Sequence, residues 1–143
     1  MNHLGVKIVI LFDRFNLSDD IFDVIFATKQ QKIVAGLLIQ HMKENGREIG
    51  KSEMSLFATK LHEGNLIAEI DEPPYRGKKV KLSYNKRQFY DRILTPMKSM
   101  GLIYYDLYKK TYKISDSFNK ELVKIGLFWL KELRKPPLNI KKS

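Results

Sequence analysis

The chain contains no cysteine, which excludes disulfides, thiolate zinc sites and cysteine nucleophiles. Its three histidines, His3, His41 and His62, stand too far apart and too irregularly for any two to form a metal-ligand spacing. No glycine-rich loop of the phosphate-cradling kind is present. Neither a metal nor a cofactor is expected, and no catalytic residue stands out. Long apolar runs are also missing. The one candidate targeting segment, Val6 to Phe12, is too short for a membrane span, is broken by Lys7 and leads into Asp13 and Arg14 without a small-residue cleavage site. It reads as a buried strand or an apolar arm, and the chain as cytoplasmic.

Acidic residues are scarce: 16 Asp and Glu stand against 26 Lys and Arg, a net charge of +10. A surplus of that size on a small protein points to a polyanionic partner. Its placement narrows the choice. From Tyr75 to Lys113 there are eleven basic residues (Arg76, Lys78, Lys79, Lys81, Lys86, Arg87, Arg92, Lys98, Lys109, Lys110, Lys113) and only two acidic ones, Asp91 and Asp106. Ordinary solvating lysines would be spread along the chain, so this segregation predicts a binding face. The 143 residues, 43% of them hydrophobic, suffice for one core and one domain.

Most of the chain carries helical periodicity. Ser18 followed by Asp19 and Asp20 suits the start of a short helix with Ile21, Phe22, Ile25 and Phe26. Thr28 stands three residues before Gln31, the capping-box spacing, ahead of Ile33, Val34, Leu37, Leu38 and Met42; Gly46 ends that helix. Ser52 is placed to cap the next, which buries Met54, Phe57, Ala58 and Leu61 before Gly64. Pro73-Pro74 and Arg76-Gly77-Lys78-Lys79 predict an extended basic loop. Ser83 then caps a helix to about Met100, with Phe89, Ile93, Met97 and Met100 on one arc and a kink or break near Thr95 imposed by Pro96.

From Leu102 to Ser115 the period changes to two, as in a hairpin turning at Lys109-Lys110, with Leu107 opposite Tyr112 and Tyr105 opposite Ile114. Two lysines suit a tight primed turn poorly, which favours a wider loop. Alternation puts two of Tyr104, Tyr105, Tyr108 and Tyr112 in the core and two outside. The last helix, 117–135, carries one stripe of Phe118, Leu122, Ile125, Trp129 and Leu133 and a second of Val123, Leu127 and Leu130. One stripe is expected to pack internally and the other against a second copy, the competing reading being that the second stripe covers the N-terminal strand and helix. Pro136-Pro137 stops the helix ahead of a basic tail.

The order helix, helix, helix, two-stranded hairpin, helix resembles the winged helix-turn-helix family of small bacterial and archaeal regulators. The stretch that carries the likeness runs Ser83-Tyr84-Asn85-Lys86-Arg87-Gln88-Phe89-Tyr90-Asp91-Arg92 through Gly101-Leu102-Ile103. It looks like a recognition helix leading into a wing, within a match covering Thr28 to Ser115. The fold class implied is mainly α with a small β-hairpin (α+β), a winged helix-turn-helix with an N-terminal arm and a C-terminal dimerisation helix. It forms one domain over 1–143: arm 1–17, winged core 28–115, helix 117–135 and tail 136–143. One departure is plain, because Asn65 to Leu82 replaces the family's tight turn. The inserted piece is either an extra strand pair or a basic loop.

The resemblance implies binding of double-stranded DNA by a dimeric regulator of transcription, without catalysis. Arginine pairs bidentately with guanine, and glutamine or asparagine with adenine, so Arg87, Gln88 and Asn85 are candidates for base contact, with Lys86 and Arg92 on the same helix. Ser83 and Tyr84 are placed for phosphate at the helix start. Lys109 and Lys110 at the wing tip, with Arg76, Lys78, Lys79 and Lys81 on the loop, would add the sequence-independent electrostatic term. A homodimer through Phe118, Leu122, Ile125, Trp129 and Leu133 would present two recognition helices. The rival readings are a winged helix used for protein contact and, more weakly, a nuclease built on Glu69, Asp71, Lys78 and Lys81. A membrane-surface role is set aside, since the basic residues do not lie on one amphipathic helix.

Overall fold

The computed structural model describes residues 15, 18–70 and 76–139. The apolar run Val6 to Phe12, Pro73-Pro74 and the end of the basic tail lie outside the described residues. The fold is mixed α+β, with helices packed on two small antiparallel sheets.

The one-turn helix α1 (Ile21–Ile25) is capped by Asp20, whose carboxylate accepts from the Phe22 N–H. Ser18, expected as the cap, instead accepts from the Asp20 N–H and donates to Asp23. In α2 (Lys29–Glu44) the expected capping box forms: Gln31 N–H donates to the Thr28 hydroxyl and Thr28 N–H to the Gln31 side chain. Ile33, Val34, Leu38 and Met42 are buried on its inner face. After Asn45 the chain reverses through Gly46 and Arg47, both left-handed at φ 77° and 69°, and enters a strand that periodicity did not reveal, β1 (Glu48–Gly50). Gly50 leads directly into α3 (Lys51–His62), so Ser52 lies inside that helix and does not cap it. The expected core residues Met54, Phe57, Ala58 and Leu61 are buried.

The insertion is a strand pair, β2 (Leu66–Glu69) and β3 (Lys79–Leu82), with Leu66 opposite Leu82, Ile67 opposite Lys81, Ala68 opposite Val80 and Glu69 opposite Lys79. Lys79 and Lys81 are therefore strand residues, while Arg76 and Gly77 lie in the turn before β3. Period two sorts the hairpin: Leu66, Ala68, Val80 and Leu82 are half-buried, whereas Ile67, Glu69, Lys79 and Lys81 are exposed.

Next comes a helical rod in three parts: α4 (Lys86–Phe89), a π-helical turn (Tyr90–Leu94) and α5 (Thr95–Ser99). Proline has no N–H to give the carbonyl four residues back. The rod meets this by widening just ahead of Pro96, where Thr95 N–H donates to Tyr90 C=O, one residue further than an α-helix allows. It does not break. Phe89, Ile93, Leu94 and Met97 face the core, but Met100, at the end of the rod, is exposed.

The hairpin β4 (Ile103–Asp106) and β5 (Thr111–Ile114) pairs Ile103 with Ile114, Tyr104 with Lys113, Tyr105 with Tyr112 and Asp106 with Thr111. This register is two residues from the expected one. A shift of two keeps every side chain on its face, so Tyr105 and Tyr112 still point inward, rings 4.6 Å apart, and Tyr104 and Tyr108 outward. The loop is Leu107–Lys110, held by Asp106 accepting from the Tyr108 and Lys109 N–H groups, with Lys110 left-handed at φ 53°. On the other edge β1 pairs with β5, Ile49 opposite Tyr112, giving a sheet ordered β1-β5-β4. Finally α6 (Ser117–Arg134) leaves the domain. Gly101, left-handed at φ 79°, lets it start there: a Cβ at Gly101 would lie 2.9 Å from the Phe118 nitrogen. Among the described residues no side chain of α6 is buried and only Phe118 is half-buried, so the expected internal packing of one stripe is not seen there.

Candidate nucleic-acid interface

Two elements carrying expected contact residues are fixed to α3. The Lys51 N–H donates to the Lys110 carbonyl at 3.0 Å, which ties the wing tip to the first turn of α3. At the other end the Lys86 ammonium reaches back to the Ser55 and Thr59 hydroxyls at 3.1 and 2.9 Å, and the Lys86 N–H donates to His62 Nδ1. The β4–β5 hairpin and the start of α4 are thereby held on one helix, with Lys51 and Ser52 exposed beside the hairpin tip.

This geometry corrects several assignments along the recognition-like stretch. Tyr84 is 7% exposed and part of the core cluster, so it is not an outward, phosphate-facing side chain. Its N–H donates to the Leu61 carbonyl, closing the insertion at its base. Ser83 does not cap the helix; Asn85 does, its side chain accepting from the Gln88 N–H at 3.0 Å. The Asn85 oxygen is thus engaged within the turn. Lys86 is half-buried against α3 and positions α4.

Arg87, Gln88 and Arg92 are exposed on the outer side of the rod, as expected. Arg87 stands 3.7 Å from Asp91, a solvated pair of the kind worth at most about 1 kcal/mol, so a phosphate or base edge can displace it. Lys109 and Lys110 are exposed at the wing tip, beside Leu107 and a Tyr108 that is 99% exposed. The other basic group, Arg76, Lys78, Lys79 and Lys81, is also exposed but belongs to a different support. Its hairpin lies along α2: Val80 to Ser83 share a cleft with Lys29, Gln30 and Ile33, and the Gln30 side-chain amide donates to the Ser83 carbonyl. Lys79 also has Glu69 across the strand, which lowers the net charge there.

No family model, curated protein or solved structure matches the chain. The site's chemistry is accordingly read from its own side chains. His41 stacks on Phe57 at 5.2 Å with Glu53 3.7 Å away, and His62 accepts from Lys86, so both are tied into the packing. Of the residues of the rival nuclease reading, Glu69 and Lys81 lie on the exposed face of the β2–β3 hairpin, Glu69 opposite Lys79 and Lys81 opposite Ile67, and Asp71 lies outside the described residues. Among the described residues no three His, Asp or Glu side chains gather to hold a metal ion, and no helix is long and apolar enough to cross a membrane.

Sequence reasoning missed β1, and with it Lys51 and Ser52 beside the wing. A three-residue strand is too short to register as alternation. The one available signal was Gly46, whose left-handed turn reverses the chain toward the hairpin.

Proposed function

We propose that the chain is a winged helix-turn-helix protein that binds double-stranded DNA and regulates transcription in the cytoplasm by occupancy, not catalysis. One observation carries this reading. Three helices, with a strand between the first two that joins the hairpin after the third, leave the outer side of α4 and the hairpin tip exposed, basic and braced by the same α3. An α-helix fits the major groove, and a basic loop beside it is placed to follow the phosphate backbone. Arg87 and Gln88 have the donor pattern for guanine and adenine; Arg92, Lys109 and Lys110, with Lys51 and Ser52, supply phosphate contacts. Lys110 adds support, because a non-glycine residue in the left-handed region is strained by about 1–2 kcal/mol, and such outliers gather at functional sites.

A second reading, a winged helix used for protein contact, is favoured by the exposed Leu107 and Tyr108 at the wing tip. Binding to random-sequence duplex across a salt series separates the two. DNA binding gives a log-log slope of about −0.9 per phosphate neutralised. Arg87→Ala with Gln88→Ala keeps that slope while removing preference among sequences. No binding at low salt by the wild type rejects the DNA reading and leaves the protein interface.

A further inference from the structure

Helix α6 runs 18 residues with nothing buried. Leu122, Val123, Ile125, Leu127, Phe128, Trp129, Leu130 and Leu133 are each between 39% and 69% exposed. At roughly 100 Å² left on each, the seven other than Phe128 present on the order of 700 Å², close to the area one partner buries in a standard interface. Monomeric proteins rarely leave a contiguous patch of this size in water. All but Phe128 fall within an arc of about 200° at 3.6 residues per turn.

Along the middle of that arc run Asn119, Gly126 and Leu133, spaced seven apart, so that two of its three central positions are not large apolar side chains. Glycine is among the poorest helix formers, and at Gly126 the monomer gives no reason for it. The backbone is not left-handed there, and an added Cβ would meet nothing within 4 Å. Around it, one turn away on either side, stand Leu122, Val123, Trp129 and Leu130, which wall a notch with Gly126 as its floor. A glycine inside a ring of exposed large side chains fits close passage of another helix backbone.

We infer that this chain forms a homodimer in which two copies of α6 pack in parallel and cross at Gly126. The notch is self-complementary, as a two-fold interface requires. Orientation follows from Asn119. In a parallel pair the two Asn119 side chains meet in one layer and hydrogen-bond to each other, the use to which a single asparagine in an apolar helix seam is put. In an antiparallel pair Asn119 lies against Leu133 and is buried without a partner. The side chains within about 60° of Gly126 (Leu122, Val123, Trp129, Leu130 and Leu133) come from both stripes, so the one crossing draws on both. The inference stands on α6 alone and does not depend on DNA binding.

Sedimentation equilibrium of the full chain without DNA tests it. The wild type is expected at twice 16.8 kDa. Gly126→Leu, which favours the helix but fills the notch, is expected at the monomer mass with an unchanged far-ultraviolet spectrum. The chain has no native cysteine, so Asn119→Cys is expected to oxidise to a single disulfide-linked dimer. A wild type of monomer mass overturns the proposal, including one that floats with phosphatidylcholine and phosphatidylglycerol vesicles, which would make α6 a lipid-surface helix. A Gly126→Leu protein that remains dimeric overturns the crossing point. An Asn119→Cys dimer that does not cross-link overturns the parallel arrangement.

Discussion

Tyr112 joins the β4–β5 hairpin to the core. It is buried between the sheet and the helical rod, its ring against Tyr105, and burial is the first cause that pushes its phenol above the usual tyrosine value. A phenol in the unfolded chain ionises near pH 10. Above that pH the unfolded state loses a proton that the folded state retains, so stability falls with rising pH until the folded phenol also ionises. Tyr112→Phe is expected to flatten this alkaline decline, as read by the urea midpoint between pH 9 and pH 12. An equal decline in the variant would assign it to other groups. Lys110 makes the complementary case, since its left-handed backbone suits glycine better than lysine. Lys110→Gly is expected to raise stability by about 1 kcal/mol in denaturant unfolding and to weaken DNA binding in the same preparation. A gain in stability without loss of affinity would remove Lys110 from the interface.

The junction between the rod and α6 depends on one glycine. At Gly101 a side chain meets both a left-handed backbone and the Phe118 nitrogen at 2.9 Å. Gly101→Ala is expected to cost about 2 kcal/mol or more, seen as a lowered thermal midpoint. Gly101 was legible in the sequence as the end of a helix, but the close approach of α6 was not, because it depends on a neighbour seventeen residues on. The same division holds elsewhere. The capping box at Thr28 and Gln31, the buried positions of α2 and α3, and the inward pair of tyrosines all follow from local chemistry, and all formed. Ser18, Ser52 and Ser83 each gave way as helix caps to a nearby residue: Asp20, Gly50 and Asn85. Capping propensity alone does not choose between adjacent residues. Tyr84 departs from the outward place that a helix capped at Ser83 would give it, because the helix begins only after Asn85 and Tyr84 turns into the core. Of the recognition-like side chains, Arg87 and Gln88 kept their outward places, since they stand in the regular turn α4 ahead of the π-helical widening.

At the scale of the whole molecule, the basic surplus between Tyr75 and Lys113 is divided between two supports. The wing tip and the start of α4 are held on α3 by Lys51 and Lys86, whereas the β2–β3 hairpin lies along α2 with Glu69 across from Lys79. If the α3-braced face meets the duplex, its cations release counterions and those of the hairpin release fewer. Each phosphate neutralised adds about 0.9 to the magnitude of the salt slope. Lys109→Ala with Lys110→Ala is therefore expected to reduce that magnitude by roughly 2, and Lys79→Ala with Lys81→Ala by less than 1. The measurement is the log-log salt dependence of binding to one random-sequence duplex, with all three proteins at matched pH. Equal reductions would mean that the inserted hairpin also tracks the backbone, which would make the insertion a second wing and enlarge the footprint beyond the helix and the hairpin tip.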